Sequence, residues 1–280
     1  MRRFILLLIA MAACLLPTAA AYAQVGVTLD FQRRNYIQYE RVVAKVTLRN
    51  FGGQNLLFGT EDKLKGNLKF EIRDRDKKVI ANIDPDARLL DGILLQPGES
   101  EELLVMLDHH YALGKAGTYE VRAFVEHASL PIAYESESKT INISTGVTEW
   151  SAKVGLPDYM LDPDNPKQEL ERTYRVASIE VGGRKYLYVI VEDTQYVYSM
   201  RAAGNILSGE KVIAEIDNLG RLHLMIPQMN REFHYIVTSL DGDLGEDAVY
   251  SAKQSVPKLI RDKNTGRIYV AGGTLIPATK

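Results

Sequence analysis

The chain is nearly devoid of cysteine: among 280 residues only Cys14 occurs, inside the apolar N-terminal segment. Beyond residue 23 there is none, which excludes thiol catalysis, disulfide staples and every cysteine-based metal site. Positive charge is not in excess, with 34 Lys and Arg against 36 Asp and Glu. That balance leaves no basic footprint for a nucleic-acid partner. Tryptophan is represented by Trp150 alone. After the N-terminal segment no stretch approaches about 18 consecutive apolar residues, so no helical membrane span is expected in the mature chain. Without covalent staples the fold has to rest on an apolar core. A hydrophobic content of 46% beside 25% charged residues is that of a globular chain rather than a disordered one.

What is present begins with residues 1–23. Arg2 and Arg3 precede the apolar run Phe4 to Leu16, Pro17 breaks it, and Ala21-Tyr22-Ala23 forms a small-x-small site before Gln24. These are the three parts of a cleaved secretory signal in order, and the run is too short to span a membrane. Met11-Ala12-Ala13-Cys14 is a poor lipoprotein box, and lipidation at Cys14 would leave Leu15 to Tyr22 as a second apolar patch. Arg2-Arg3 lacks the remainder of a twin-arginine signal. Ordinary export to the periplasm or beyond is therefore expected. Removing residues 1–23 takes away two arginines and no acid, leaving 257 residues with 32 basic and 36 acidic side chains, a net charge of −4. That length predicts about two domains.

Residues 24–149 read as strands. Val27 to Phe31, then Val42, Ala44, Val46 and Leu48, then Leu68, Phe70 and Ile72 alternate apolar with polar neighbours, the period of a sheet with one buried face. The alternating charges of Arg73 to Lys78 suit a solvated hairpin tip, and Gln96-Pro97-Gly98-Glu99 a turn. Short strands between turns, with no helical period, predict an all-β fold. Gly117-Thr118-Tyr119-Glu120-Val121 resembles the segment opening a late strand of immunoglobulin-like sandwiches, with Val121 at the position of the antibody-type cysteine. Tyr36 to Phe58 is also similar to bacterial immunoglobulin-like or fibronectin-like modules, including those of macroglobulin-type proteins and some protease inhibitors. Over residues 24–145 the resemblance implies a β-sandwich in which the Tyr119 hydroxyl bonds back to the main chain beside Gly117. It implies no particular function.

Residues 150–171, with Pro157, Pro163 and Pro166, read as a linker that opens on Trp150. Residues 172–280 read as a C-terminal antiparallel β-meander domain. Gly182-Gly183 is a hairpin turn between Ala177–Val181 and Tyr186–Val191. A second hairpin is expected through Glu192 to Gln195. Asp217 to Leu224 and Asp262 to Val270 form a weak repeat whose glycines, Gly220 and Gly266, are 46 positions apart. Such spacing resembles β-propeller blades, although this stretch holds only about two blades where a closed ring needs at least about four.

Chemistry-bearing residues are scattered. The five histidines, His109, His110, His127, His223 and His234, show no spacing that places two imidazoles on one side of a metal. Adjacent His109 and His110 are expected on opposite faces of a strand. Ser136 with Lys139, and Ser255 with Lys258, have S-x-x-K spacing without the helix that chemistry requires. Asp241, Asp243 and Glu246 around two glycines are a weak Ca²⁺ candidate and suit an acidic turn better. No cofactor motif occurs, and none is expected to bind. With Asp193-Thr194 as the turn, Tyr196, Tyr198 and Met200 would face the core opposite Val191, Val189 and Leu187. Tyr186 and Tyr188 would then share the other face, as an exposed pair for a sugar or a protein, or else beneath a second core layer. Trp150 would plug the domain junction or stack on a ligand. The expected function is therefore non-enzymatic binding of a protein or glycan outside the cytoplasm, with a carboxylate-dependent hydrolase or hydrolase accessory, and an exported protease inhibitor, as alternatives. Mass spectrometry of the exported chain should find Gln24 at its N-terminus, and Cys14→Ser should leave processing unchanged; a lipid-bearing N-terminus at residue 14 would contradict both.

Overall fold

The computed structural model describes residues 24–164, 168–207 and 209–277. The expected signal segment, with Cys14, lies outside them. In the N-terminal half the alternating stretches become β1 (Val25–Phe31), β2 (Asn35–Ile37), β3 (Val43–Asn50), β4 (Leu56–Leu57), β5 (Gly66–Arg73), β6 (Leu94–Leu95), β7 (Ser100–Met106), β8 (Gly117–His127), β9 (Tyr134–Glu135) and β10 (Lys139–Ser144). One antiparallel sheet has the order β1-β3-β7; a second has β2-β10-β8-β5, in which only β2 and β10 run parallel. The side chains at alternate positions, such as Val46 and Leu48 on β3, Phe70 and Ile72 on β5 and Val121 and Val125 on β8, form one buried cluster. Each such side chain is worth about 1.5–3 kcal/mol of burial, which is how the fold does without disulfides.

Tyr119 is 3% exposed and its hydroxyl donates to the Lys115 carbonyl at 2.7 Å. Gly117 packs against its ring: a Cβ there would meet the ring at 3.6 Å. The charged tip closes as expected, Asp74 N–H donating to the Lys78 carbonyl at 3.0 Å with Lys77 left-handed. His109 and His110 depart from expectation. They end a one-turn helix, α1 (Leu107–His110), because Leu107 turns into the core while Asp108 Oδ1 accepts the Val42 N–H at 2.9 Å.

The expected linker opens as strand, through Gly155, and only its remainder is irregular. β11 (Val147–Gly155) pairs with β12 (Glu171–Val181), and Trp150 lies opposite Val176 beside a bulge. The period of two in Trp150, Ala152 and Val154 carries this strand. The prolines act only beyond Gly155, on an excursion with one 3₁₀ turn at Asp158–Met160. β13 (Arg184–Glu192) and β14 (Val197–Ile206) complete a meander in the order β11-β12-β13-β14. Next come β15 (Ile213–Ile216), β16 (Leu222–Pro227), β17 (Glu232–Thr238), β18 (Leu244–Ser251), the hairpin of β19 (Lys258–Arg261) with β20 (Ile268–Ala271), and β21 (Thr274–Ile276). The second sheet has the order β15-β16-β17-β18-β21. Tyr174, Val176, Leu187 and Val189 of the first sheet share a buried cluster with Leu222, Leu224, Ile226 and Ile236 of the second. Leu259 and Val270 of the β19-β20 hairpin join another cluster with Met225, Tyr235 and Val237.

The weak repeat is a matched pair of turns. Asp217 Oδ1 accepts the Leu219 and Arg221 N–H groups, Asp262 Oδ1 those of Asn264 and Thr265, and Gly220 and Gly266 are left-handed. The turns also touch, Asn218 N–H donating to the Gly266 carbonyl at 3.3 Å.

The two halves meet where Ile37 packs with Ala177, Ile179, Tyr188 and Ile190. Above this cluster Glu40 Oε1 accepts hydrogen bonds from the Arg33 guanidinium and, at 2.8 Å, from the Tyr188 hydroxyl; Arg33 also donates to that hydroxyl at 3.0 Å. Replacing Tyr119 by Phe keeps the ring and orphans the Lys115 carbonyl, so urea unfolding should show a loss of about 1 kcal/mol with an unchanged m-value.

Candidate functional site

The Gly182-Gly183 hairpin forms as expected, both glycines being left-handed with Val181 opposite Arg184. The tyrosines it organises are not on a free surface. Tyr188 is 3% exposed within the junction, and Tyr186 is half-buried against the same cluster. Alternation revealed that they share a face but not that the N-terminal module covers it. The next turn takes four residues, Asp193 to Tyr196, because Asp193 Oδ1 accepts the Gln195 and Tyr196 N–H groups, both at 2.7 Å. Ser199 therefore lies opposite Val191 and Met200 opposite Ile190, and the exposed tyrosines are Tyr196 and Tyr198. Trp150 is half-buried against the C-terminal core rather than at the junction.

The Ca²⁺ candidate does not assemble. Asp241 Oδ1 accepts the Arg172 guanidinium at 2.8 Å, Asp243 begins the return from its turn, and Glu246 stands on β18. Among the described residues no three His, Cys, Asp or Glu side chains are grouped to hold a metal, and no helix is long and apolar enough to cross a membrane.

A long concavity runs along the Gly182-Gly183 hairpin. One part, about 530 Å³, is bounded by residues 144–147, Glu149 and Ser178. A second, about 700 Å³, is bounded by Arg184, Asn205, Leu207, Gln228, Met229, Asn230 and Glu232. Glu180 and Lys185 border both parts, so the two adjoin as a trough. At the meeting point Glu149 Oε1 accepts Lys185 Nζ and Ser178 Oγ, each at 2.6 Å. Burial pushes the Glu149 carboxyl up, but these two donors outweigh it and hold the group below its ordinary range.

The far lip is the turn between β16 and β17. There Asn230 (φ 61°) and Arg231 (φ 58°) are consecutive non-glycine residues in the left-handed region, a conformation that costs about 1 kcal/mol or more each. Two main-chain bonds fix it, Gln228 N–H to Glu232 and Ala252 N–H to Arg231, at 2.8 and 2.7 Å. Met229 beside them is 69% exposed. No aromatic ring lines either part; acids, bases and amides surround an apolar strip of Ile206, Leu207 and Met229. Such a lining offers donors and acceptors for a main chain and a strip for an apolar side chain. Sequence reasoning found none of these wall residues except through the Gly-Gly turn, since they come from segments far apart in the chain.

No family model matches the chain, and neither does any curated protein. Among solved structures, a fragment of S. aureus TarS (217–571) aligns over 92% of this chain and 57% of its own length, at 11% identity and a TM-score of 0.23. S. aureus TarS aligns over 89% and 35%, at 11% identity and 0.21. The chain thus spans little more than half, or about a third, of those two. A DUF4784 family protein from Bacteroides caccae aligns over 90% of this chain and 85% of its own, at 7% identity and a TM-score of 0.20.

Away from the trough lies a buried titratable chain. His223, 3% exposed, approaches Asp217 Oδ2 through Nε2 at 3.2 Å, and its Nδ1 lies 2.6 Å from the Tyr235 hydroxyl. A neutral imidazole satisfies both contacts, donating to the carboxylate and accepting from the phenol. Burial pushes His223 below its ordinary range, against the pull of Asp217. Burial would raise Asp217, but the main-chain and side-chain N–H groups of Arg221, with His223 and Leu219, hold it low. The stability from neutral His223 is complete above about pH 6.5 and is lost as pH falls through its lowered folded value. Urea midpoints should decline below about pH 6.5 in the parent and lose that part of the slope in His223→Gln.

Proposed function

We propose that the chain is an exported, non-enzymatic binding protein in which an immunoglobulin-like N-terminal module positions the C-terminal β-meander, and that the trough grips an extended segment of a polypeptide partner. The observation that carries this reading is the trough itself: a concave, ring-free surface mixing amides, paired charges and an apolar strip, with a strained turn at its lip. Ser178 and Lys185, both fixed by donating to the Glu149 carboxylate, are preorganised side chains that lower the ordering cost of binding. The lack of aromatic faces favours a peptide over a sugar at this place. An inhibitor of proteases would present a convex loop, and this feature is concave.

A second reading has one observation in its favour: two carboxylates, Glu180 and Glu232, line the same trough. A hydrolase would use such a pair as acid and base. The two readings separate in one set of variants. With a photoreactive residue in place of Leu207, the mature chain in its own envelope extract should crosslink to a discrete protein, and Met229→Glu should cut the yield about tenfold by charging the strip. Glu180→Gln with Glu232→Gln should leave most of the crosslink. Turnover of glycoside or ester substrates that disappears in the double variant would favour the hydrolase.

A further inference from the structure

The Asp193 turn brings Tyr196 and Tyr198 out of the sheet at the start of β14, 63% and 38% exposed. Their ring centroids are 6.4 Å apart and the rings are tilted by 57°, opening a shallow V. Tyr198 is held from behind: the Arg172 guanidinium carbon lies 3.6 Å from its ring centroid. Arg172 is in turn fixed by the Leu240 carbonyl and Asp241, each at 2.8 Å. The Tyr198 hydroxyl donates to Asp193, the residue whose carboxylate also builds the turn. Thr194 Oγ1 donates to Glu169 at 2.5 Å and braces the turn from the side.

We propose that this tyrosine V is a carbohydrate site for neutral hexopyranose chains. A pyranose has an apolar C–H face edged by hydroxyls, and the site has the complementary form, two aromatic faces edged by Asp193, Thr194, Gln195 and Glu169. The charges beside the rings are acidic, while the cation behind Tyr198 is paired with Asp241, so anionic polysaccharides meet repulsion. Tyr198 is already immobilised by Arg172 and Asp193, so binding does not have to order it. Tyr198 and the nearest trough residue on the same strand, Asn205, are seven positions apart, and the inference does not depend on the trough's ligand.

Affinity electrophoresis of the mature chain in gels containing laminarin, xyloglucan, glucomannan, galactan or polygalacturonate tests the site. Retardation by at least one of the four neutral polymers, and none by polygalacturonate, is expected. Tyr196→Ala should weaken it about tenfold, while Tyr196→Phe, which keeps the face, and Tyr269→Ala, an exposed tyrosine on β20, should not. Met229→Glu should also leave it unchanged, which separates this result from the fate of the trough. Absence of retardation in every neutral gel, equal retardation of Tyr196→Ala, or retardation by polygalacturonate would overturn the proposal.

Discussion

The relation between the two halves turns on one half-buried carboxylate. Glu40 accepts from the Arg33 guanidinium, the Tyr188 hydroxyl and, through Oε2 at 3.2 Å, the Ile37 N–H. Arg33 lies over the Tyr36 ring, 4.9 Å from its centroid. An ion pair withdrawn from water gains little net stability, since desolvation offsets most of the attraction. Rotating one half against the other would cost both Glu40 and Arg33 the Tyr188 hydroxyl, the one of these partners that the C-terminal half supplies, while leaving them paired with each other. The junction therefore acts on orientation more than on stability. That orientation matters for the trough, whose first part has residues 144–147 as one wall and the β12-β13 hairpin as the other.

Gly146 shows how closely the halves are fitted. It is left-handed at φ 74°, and a Cβ on it would come within 2.8 Å of Ile37 Cδ1 and 2.9 Å of the Ser178 carbonyl. Both the backbone and the space exclude a side chain, so the chain passes between the halves at the one point where none is carried. With Tyr188 bonded to Glu40 on one side and Gly146 pressed against Ile37 and Ser178 on the other, the two halves are in direct contact at the junction.

Local chemistry was legible in the sequence where one residue type determines one geometry. Gly182-Gly183 specified a turn, Asp217 and Asp262 specified two more, and Tyr119 specified its bond to the main chain. Illegible were properties set by a second segment. Alternation put Tyr186 and Tyr188 on one face and left open whether it was exposed or under a second core layer; Ile37, about 150 positions earlier, is what covers it. The register after Glu192 depended on whether Asp193 opened a two-residue or a four-residue turn, and its side-chain acceptor chose the longer. That choice moved Tyr198 from an expected core position to the surface. Trp150 was misplaced because the neighbouring prolines outweighed a short alternation that pairing with β12 makes decisive. The trough had no sequence signature, since its walls come from four segments far apart in the chain.

β14 gives the C-terminal module its functional axis. At about 3.3 Å per residue, the seven positions from Tyr198 to Asn205 hold the tyrosine V and the Asn205-Leu207 wall roughly 23 Å apart at their nearest. A flexible linker would let two such surfaces act independently, whereas a strand inside a four-stranded sheet fixes their spacing and direction. Strain is placed at the trough end, where Asn230 and Arg231 occupy a conformation that glycine would adopt freely. At the tyrosine end the cost is a buried cation, Arg172, whose Nε has no hydrogen-bond partner. A fold without disulfides can carry both liabilities only if the sheet between them is well packed, and Val189, Ile190 and Val191, each at most 2% exposed on adjoining β13, supply that packing. The apolar centre of the meander and its polar, strained ends are in this sense coupled, with stability concentrated in the middle offsetting the strain and the unpaired donor at the ends.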